Sequence, residues 1–256
     1  MAELDPAALR VPGRASPGRL LAGTSGFAYR GWIPRFYPAG TRPAEYLATY
    51  AARLRACELN GTYYRWPTET QVRAWAALTP DGFRFSVKAQ RAAAWRAMGG
   101  AATAEMRRLV APLAGFGDHL GCLLLRVPVE LQLDTAALRA VLAALPSGVP
   151  LTVELQHPTW HVDSTFELLR RHGSVLCATE LDEDAGPPDI RITGPFVYLR
   201  LRRVDYSPDE LNAWASRIRP FLFAGMDVYA IFRHDPVGRG PELALALTRL
   251  IKEADD

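Results

Sequence analysis

Phe196-Val197-Tyr198-Leu199-Arg200-Leu201-Arg202 reads as a β-strand with two contrasting faces near its end. Side chains two apart in a strand share a face, so Arg200 and Arg202 point one way while Leu199 and Leu201 point the other. Seven further short apolar runs, at 20–24, 57–60, 83–88, 120–126, 151–156, 174–179 and 227–233, repeat the theme, and most end in a charged or amide side chain. Nearly every gap between them has helical character. A strand–helix alternation repeated eight times over 256 residues describes a closed (β/α)8 barrel of the TIM type. We expect a single barrel domain over residues 20–254, preceded by a flexible leader, 1–19, rich in Ala, Pro, Gly and Arg.

Composition narrows the function classes. An apolar content of 49% suffices for a core, and the net charge of +3 does not announce a nucleic-acid protein. No run approaches the roughly 18 apolar residues of a membrane span, and the leader lacks the apolar block of a signal peptide. Cys57, Cys122 and Cys177 each fall within a strand and lack metal-ligand spacing. A cytoplasmic protein with packed thiols is therefore expected. Of the 30 basic residues only Lys88 and Lys252 are lysine, and Lys88 closes the third strand.

The crossovers carry recognisable signals. Pro43 opens a helix reaching about Arg55, and Thr68 with Gln71 forms a capping box. A helix over 103–116 ends at Gly117, whereas 91–100 resists assignment. Asp134 caps the next helix, Asp163 begins the fifth, the segment 206–210 starts the seventh, and Gly238 or Pro241 precedes the eighth. The acidic, proline-bearing stretch 180–195 holds no convincing helix, which makes the sixth crossover the irregular one.

Parity then places the chemistry. Glu58 and Asn60, Ser86 and Lys88, Leu124 and Arg126, Glu154 and Gln156, Arg200 and Arg202, and Ile231 and Arg233 share the inward face, with helices packing on the apolar outer parity. The barrel mouth is expected to gather Glu58, Glu154, Lys88, Arg126, Arg200, Arg202 and Arg233, with Asn60, Gln156, His157 and His234 beside them. Five cations against two carboxylates leave a surplus of positive charge in a low-dielectric cup. Two readings are open: an ion-pair network that only fixes the barrel, or a site completed by a phosphate or carboxylate ligand. Lys88 among arginines is expected to have a lowered pKa, suiting it to base or Schiff-base chemistry; the plainer reading pairs it with Glu58 or Glu154. Glu154 or Glu58 suits a general base and His157 a shuttle. Loop aromatics, Tyr29 and Tyr64 among them, either stack on a ligand or pack a lid. Ser25 misses the nucleophile-elbow spacing, no phosphate-binding or dinucleotide fingerprint occurs, and five scattered histidines argue against a metal site. No cofactor is expected.

Several segments resemble a known family. They are Gly23-Thr24-Ser25-Gly26-Phe27-Ala28-Tyr29 with Trp32 and Phe36-Tyr37-Pro38, Glu58-Leu59-Asn60-Gly61-Thr62-Tyr63-Tyr64-Arg65, Trp75 with Thr79-Pro80, the 83–88 run, Glu154 with His157-Pro158-Thr159-Trp160, and Tyr198-Leu199-Arg200. Together, over about residues 20–252, they resemble the YecE-like proteins, domain of unknown function 72. The resemblance implies a TIM-type barrel and carries over no catalytic role. It also marks departures: Arg126 stands where the family usually has Gln, and Gln156 where it has Arg. Arg202-Arg203 replaces a His-Gly pair and Arg233-His234 an Asn-Asn pair.

These readings converge on a metal-independent enzyme acting on a small phosphate- or carboxylate-bearing substrate. In it Glu154 or Glu58 is the acid or base, Lys88 an electrostatic or covalent catalyst, and Arg126, Arg200, Arg202 and Arg233 the anion clamp. The alternative is a non-catalytic barrel binding anions or, less favoured, nucleic acid; a degenerate scaffold is the third. No membrane partner is expected, and the sequence leaves the oligomeric state open.

Overall fold

The computed structural model describes residues 16–63, 65–182 and 186–253. Eight parallel strands close into a barrel in chain order: β1 (Leu20–Ser25), β2 (Ala56–Leu59), β3 (Arg84–Lys88), β4 (Leu120–Val127), β5 (Leu151–Leu155), β6 (Val175–Glu180), β7 (Phe196–Leu201) and β8 (Asp227–Phe232). Closure is made by β1 against β8, from Leu20↔Val228 to Thr24↔Phe232, so no edge strand is left exposed. The helices are α1 (Tyr46–Ala51), α2 (Glu69–Ala77), α3 (Arg91–Arg96), α4 (Ala102–Val110), α5 (Thr135–Ala143), α6 (Asp163–Arg171), α7 (Pro208–Phe223) and α8 (Arg239–Lys252).

The strand parity holds. Leu21, Ala56, Cys122, Leu124, Val175, Cys177, Phe196, Tyr198, Tyr229 and Ile231 form one buried cluster that fills the barrel. Phe85, Val87, Leu123, Leu125, Val153, Leu155, Leu199 and Leu201 belong to the second cluster, between sheet and helices. The inward rows carry the polar ends upward, to the face on which TIM barrels do their chemistry.

Local signals mostly act as expected. Thr68 and Gln71 form their reciprocal cap, Asp134 accepts from Ala137 N, and Ser207 with Glu210 caps α7. Among the described residues the sixth crossover has no helix. Three boundaries differ. The first helix begins as a 3-10 turn, Pro43–Glu45, and its α segment ends at Ala51. The unassigned 91–100 stretch is helical: α3 runs through a π turn, Ala97–Ala101, into α4, with Gly100 at φ +104°. The expected 103–116 helix gives way after Val110 to 3-10 turns, because Pro112 lacks an amide hydrogen for the α ladder.

Gly23 marks the tightest approach in the sheet. A Cβ there would lie 1.8 Å from the Ala56 carbonyl oxygen. Beside it the Tyr50 hydroxyl accepts from Thr24 N (2.7 Å) and donates to Ala56 O (2.9 Å), stitching β1 to β2. Of the expected leader, residues 1–15 lie outside the described residues; Gly18 N bonds Leu222 O and Arg19 pairs with Asp227. Among the described residues no helix is long and apolar enough to cross a membrane. All three cysteines are buried and free.

Candidate functional site

Arg200, from the inward row of β7, lies under the barrel mouth at 2% exposure. Its Nε and Nη2 donate to the two oxygens of Glu58 on β2, at 2.9 and 2.8 Å. Its Nη1 donates to both oxygens of Glu154 on β5, at 3.0 and 2.8 Å. One guanidinium thus bridges two carboxylates that are themselves 0% and 2% exposed. The planar fork of Arg makes this geometry possible.

Both acids collect further donors. Ser25 Oγ and the Tyr198 hydroxyl each reach Glu58 at 3.1 Å, and Thr179 Oγ1 reaches Glu154 at 2.8 Å. Burial works to raise the Glu58 pKa, but the Arg200 charge and hydrogen bonds outweigh it and hold the carboxyl at about 2. Burial likewise opposes ionisation of Glu154, and Arg200 and Arg126 reverse the effect, leaving its pKa below the usual value. Both glutamates are therefore ionised at neutral pH. Burial disfavours the Arg200 charge, yet Glu154 and Glu58 raise its pKa well above the ordinary range.

Around this triad stand further cations. Lys88 is held below its usual pKa by burial, then by Arg200, with Glu58 pulling the other way and Arg126 adding to the depression. Arg202 is lowered by burial and by Arg200, and its buried Nη1 has no hydrogen-bond partner among the described residues. Arg126 lies with Nε 3.3 Å from Glu154 Oε2 and is otherwise partly exposed. His234, lowered by burial and by Arg202, also keeps a buried Nδ1 without a partner among the described residues. Its ring stacks on Tyr29, with centroids 5.1 Å apart and planes 4° from parallel. Asn60 donates to Ser25 Oγ at 2.6 Å, while the Tyr29 hydroxyl donates to the Ser25 carbonyl.

The structure brings together Glu58, Glu154, Lys88, Arg126, Arg200, Arg202, Asn60, Tyr29 and His234. Three of the expected residues are engaged by protein groups. Arg200 is not available to clamp a ligand, because its nitrogens are taken by the glutamates. Arg233 follows the end of β8 and turns to the rim, where it pairs with exposed Asp182 at 3.3 Å. His157 is held in a turn, its Nδ1 bonded to Thr159 Oγ1 at 2.9 Å. Tyr64 lies outside the described residues. Ser25, Tyr198 and Thr179 were missed as carboxylate partners. Parity offered a signal, since Tyr198 is two residues from Arg200 on the same strand and Ser25 and Thr179 occupy strand ends.

Two cavities adjoin the triad. A recess of about 220 Å³ is lined by Lys88, Arg91, Arg126, Glu130 and Gln156, among others. A larger one, about 490 Å³, reaches Glu154, Gln156 and Thr179. A further cavity, about 900 Å³, opens at the opposite face between Leu20, Leu54, Leu222 and Ile251. It includes Arg55 and Lys252 but no carboxylate, so it offers no acid–base pair. Among the described residues no three His, Cys, Asp or Glu side chains converge as metal ligands.

The family described as "Protein of unknown function DUF72" matches residues 21–256. A DUF72 family protein from Thermotoga maritima MSB8 is similar in structure, with a TM-score of 0.78 and 24% identity, covering 91% of this chain and 99% of that one. A DUF72 family protein from Enterococcus faecalis V583 has a TM-score of 0.72 and 16% identity, covering 92% and 98% respectively. At these identities the neighbours support the barrel fold alone. No curated protein matches the chain. With the family match spanning nearly the whole barrel, this chain belongs to the DUF72 family of unknown function.

Proposed function

We propose that the barrel mouth binds a small metabolite bearing a phosphate or carboxylate group and acts on it. The reading rests above all on the recess that Lys88 and Arg126 line together at the mouth; Arg202, outside that lining, adds a buried Nη1 with no hydrogen-bond partner among the described residues. A buried guanidinium nitrogen without an acceptor costs free energy, and an anionic oxygen supplies one. Lys88 and Arg126 add to the charge that such a group meets. The 220 Å³ recess suits a small anionic group better than a nucleic-acid strand.

The two glutamates then divide their work. Glu58 is sealed, and a carboxyl at about 2 is a weak base, so it holds Arg200 and sets the field. Glu154 borders the larger cavity and is the better placed to take or give a proton. Lys88, more easily deprotonated than an ordinary lysine, is placed as its counterpart, acting as a base or as an amine nucleophile. Side-chain cations meet the substrate's charge in this scheme.

Isothermal titration with inorganic phosphate and with oxalate tests the reading. One of the two is expected to bind, with Arg126→Ala weakening it by about tenfold or more, the scale of a lost charged hydrogen bond. The rim variant Arg233→Ala is expected to stay within about threefold, as exposed pairs contribute little. Equal binding by wild type and Arg126→Ala would remove the recess as the site, and absence of binding by both anions would end the proposal.

A further inference from the structure

The barrel parts along one seam. Strands β4 and β5 stay paired to Val127↔Leu155, and β6 and β7 to Glu180↔Leu201. Between β5 and β6 the ladder stops at Val153↔Leu176, well short of the ends of both strands. Above that point the His161 ring takes up the Leu155 carbonyl, with Nε2 2.9 Å away. The 490 Å³ cavity occupies the parting, and it touches residues of both parities: Glu154 and Thr179 from the inner face, Leu155 and Ala178 from the outer. This is therefore an opening through the wall beside the triad.

The seam cavity meets the cationic recess. Gln156 lines both. One side of that junction carries Lys88 and Arg126; the other carries Glu154, Thr179 and the Asp189–Arg191 ion pair, interleaved with Leu155 and Ala178. Acceptors set among small apolar surfaces match a chain or ring of hydroxyl-bearing carbons: each O–H finds an oxygen, and each C–H lies on an aliphatic side chain. A ladder that ends early also leaves backbone groups to be paired by something else, and hydroxyls both donate and accept.

We infer that the seam is a second subsite, and that the ligand is bipartite: a phosphorylated polyol or sugar, its phosphate in the Lys88–Arg126 recess and its hydroxylated body in the β5–β6 parting. The inference deepens the anion-binding proposal by naming the class of the rest of the ligand.

Calorimetry separates the two claims. The probes are inorganic phosphate, hexyl phosphate, glycerol 3-phosphate, ribose 5-phosphate and glucose 6-phosphate. At least one polyol phosphate is expected to bind about tenfold more tightly than both inorganic and hexyl phosphate, as for a site built to bond hydroxyls. Ala178→Leu, which narrows the parting without touching the cationic recess, is expected to abolish that gain while leaving inorganic phosphate unchanged. Should Ala178→Leu not fold, Asp189→Ala takes its place, since the Asp189 side chain is 85% exposed, and a loss of about threefold or more is expected. Phosphate binding with all three polyol phosphates within about threefold of it, or with hexyl phosphate preferred, overturns the seam subsite and leaves the anion site standing. A gain that survives these variants also overturns it. If no phosphorylated probe binds, both claims fall.

Discussion

Replacing Arg200 by methionine tests the electrostatic account of the barrel mouth. The variant keeps most of the side-chain volume but strips Glu58 and Glu154 of four charge-assisted contacts at 2.8–3.0 Å. Breaking a buried ion pair by removing one partner costs about 3–5 kcal/mol. The Glu58 pKa gives a second estimate. Lowering it from 4.5 to about 2 is worth about 3 kcal/mol of preference for the charged form. At about 2–4 °C per kcal/mol for a domain of this size, Arg200→Met is expected to lower Tm by about 6–20 °C at pH 7.5.

The pH dependence carries the sharper signature. In the wild type the folded pKa of Glu58 lies below its unfolded value, so its stabilisation is complete above about pH 4.5 and fades as pH falls toward 2. Without Arg200 burial is opposed chiefly by the weaker pull of Arg202 and Lys88, and it raises the folded pKa above the unfolded one. The variant then gains stability as pH falls through that raised value. Thermal melts by circular dichroism between pH 5 and pH 8 should therefore show the deficit shrinking toward acid. Adding Glu58→Gln and Glu154→Gln to Arg200→Met should recover part of the loss at pH 8, because neither carboxylate is then buried without its guanidinium, while Arg126 gives up its contact with Glu154. A deficit under about 2 °C throughout, or one independent of pH, would refute the argument.

Two further outcomes are expected. Because Lys88 and His234 are held below their ordinary pKa values, an anion binding beside them should draw in protons. Its affinity should rise as pH falls from 8 to 6, and calorimetry in buffers of differing ionisation enthalpy should record proton uptake; proton release would contradict the arrangement. Gly23→Ala should destabilise the fold by about 1–3 kcal/mol, since its new methyl meets the Ala56 carbonyl oxygen at 1.8 Å and backbone cannot rotate aside; a urea midpoint matching the wild type would show that β1 and β2 have more slack than described.

The fold was legible because it depends on local periodicity. The spacing of Glu154 and Gln156, or of Arg200 and Arg202, sets faces without any knowledge of neighbours. The site was legible only in composition. That Arg200 reaches Glu58, 142 positions away, depends on strand order and register across the barrel, which no local pattern encodes. Arg233 shows the limit most clearly. Parity assigns it inward, but β8 ends one residue earlier, and its partner Asp182 lies beyond β6, in the crossover that has no helix among the described residues. Past a strand's end alternation no longer guarantees direction: Asn60 and Arg202 stay at the mouth one residue beyond β2 and β7, whereas Arg233 does not. The parting of β5 from β6 is equally silent in sequence, because both strands keep their apolar character past the point where pairing stops.

The bridge from Glu58 through Arg200 to Glu154 behaves as a crossbeam. It ties β2 and β5, on separate sides of the barrel, to β7, so the walls cannot widen near the mouth without separating opposite charges in a dry interior. A ligand entering from above would meet a floor that does not yield. Breathing motions that admit and release it must then fall to the connecting loops and to the unzipped margin between β5 and β6, making rigidity below the condition for mobility above.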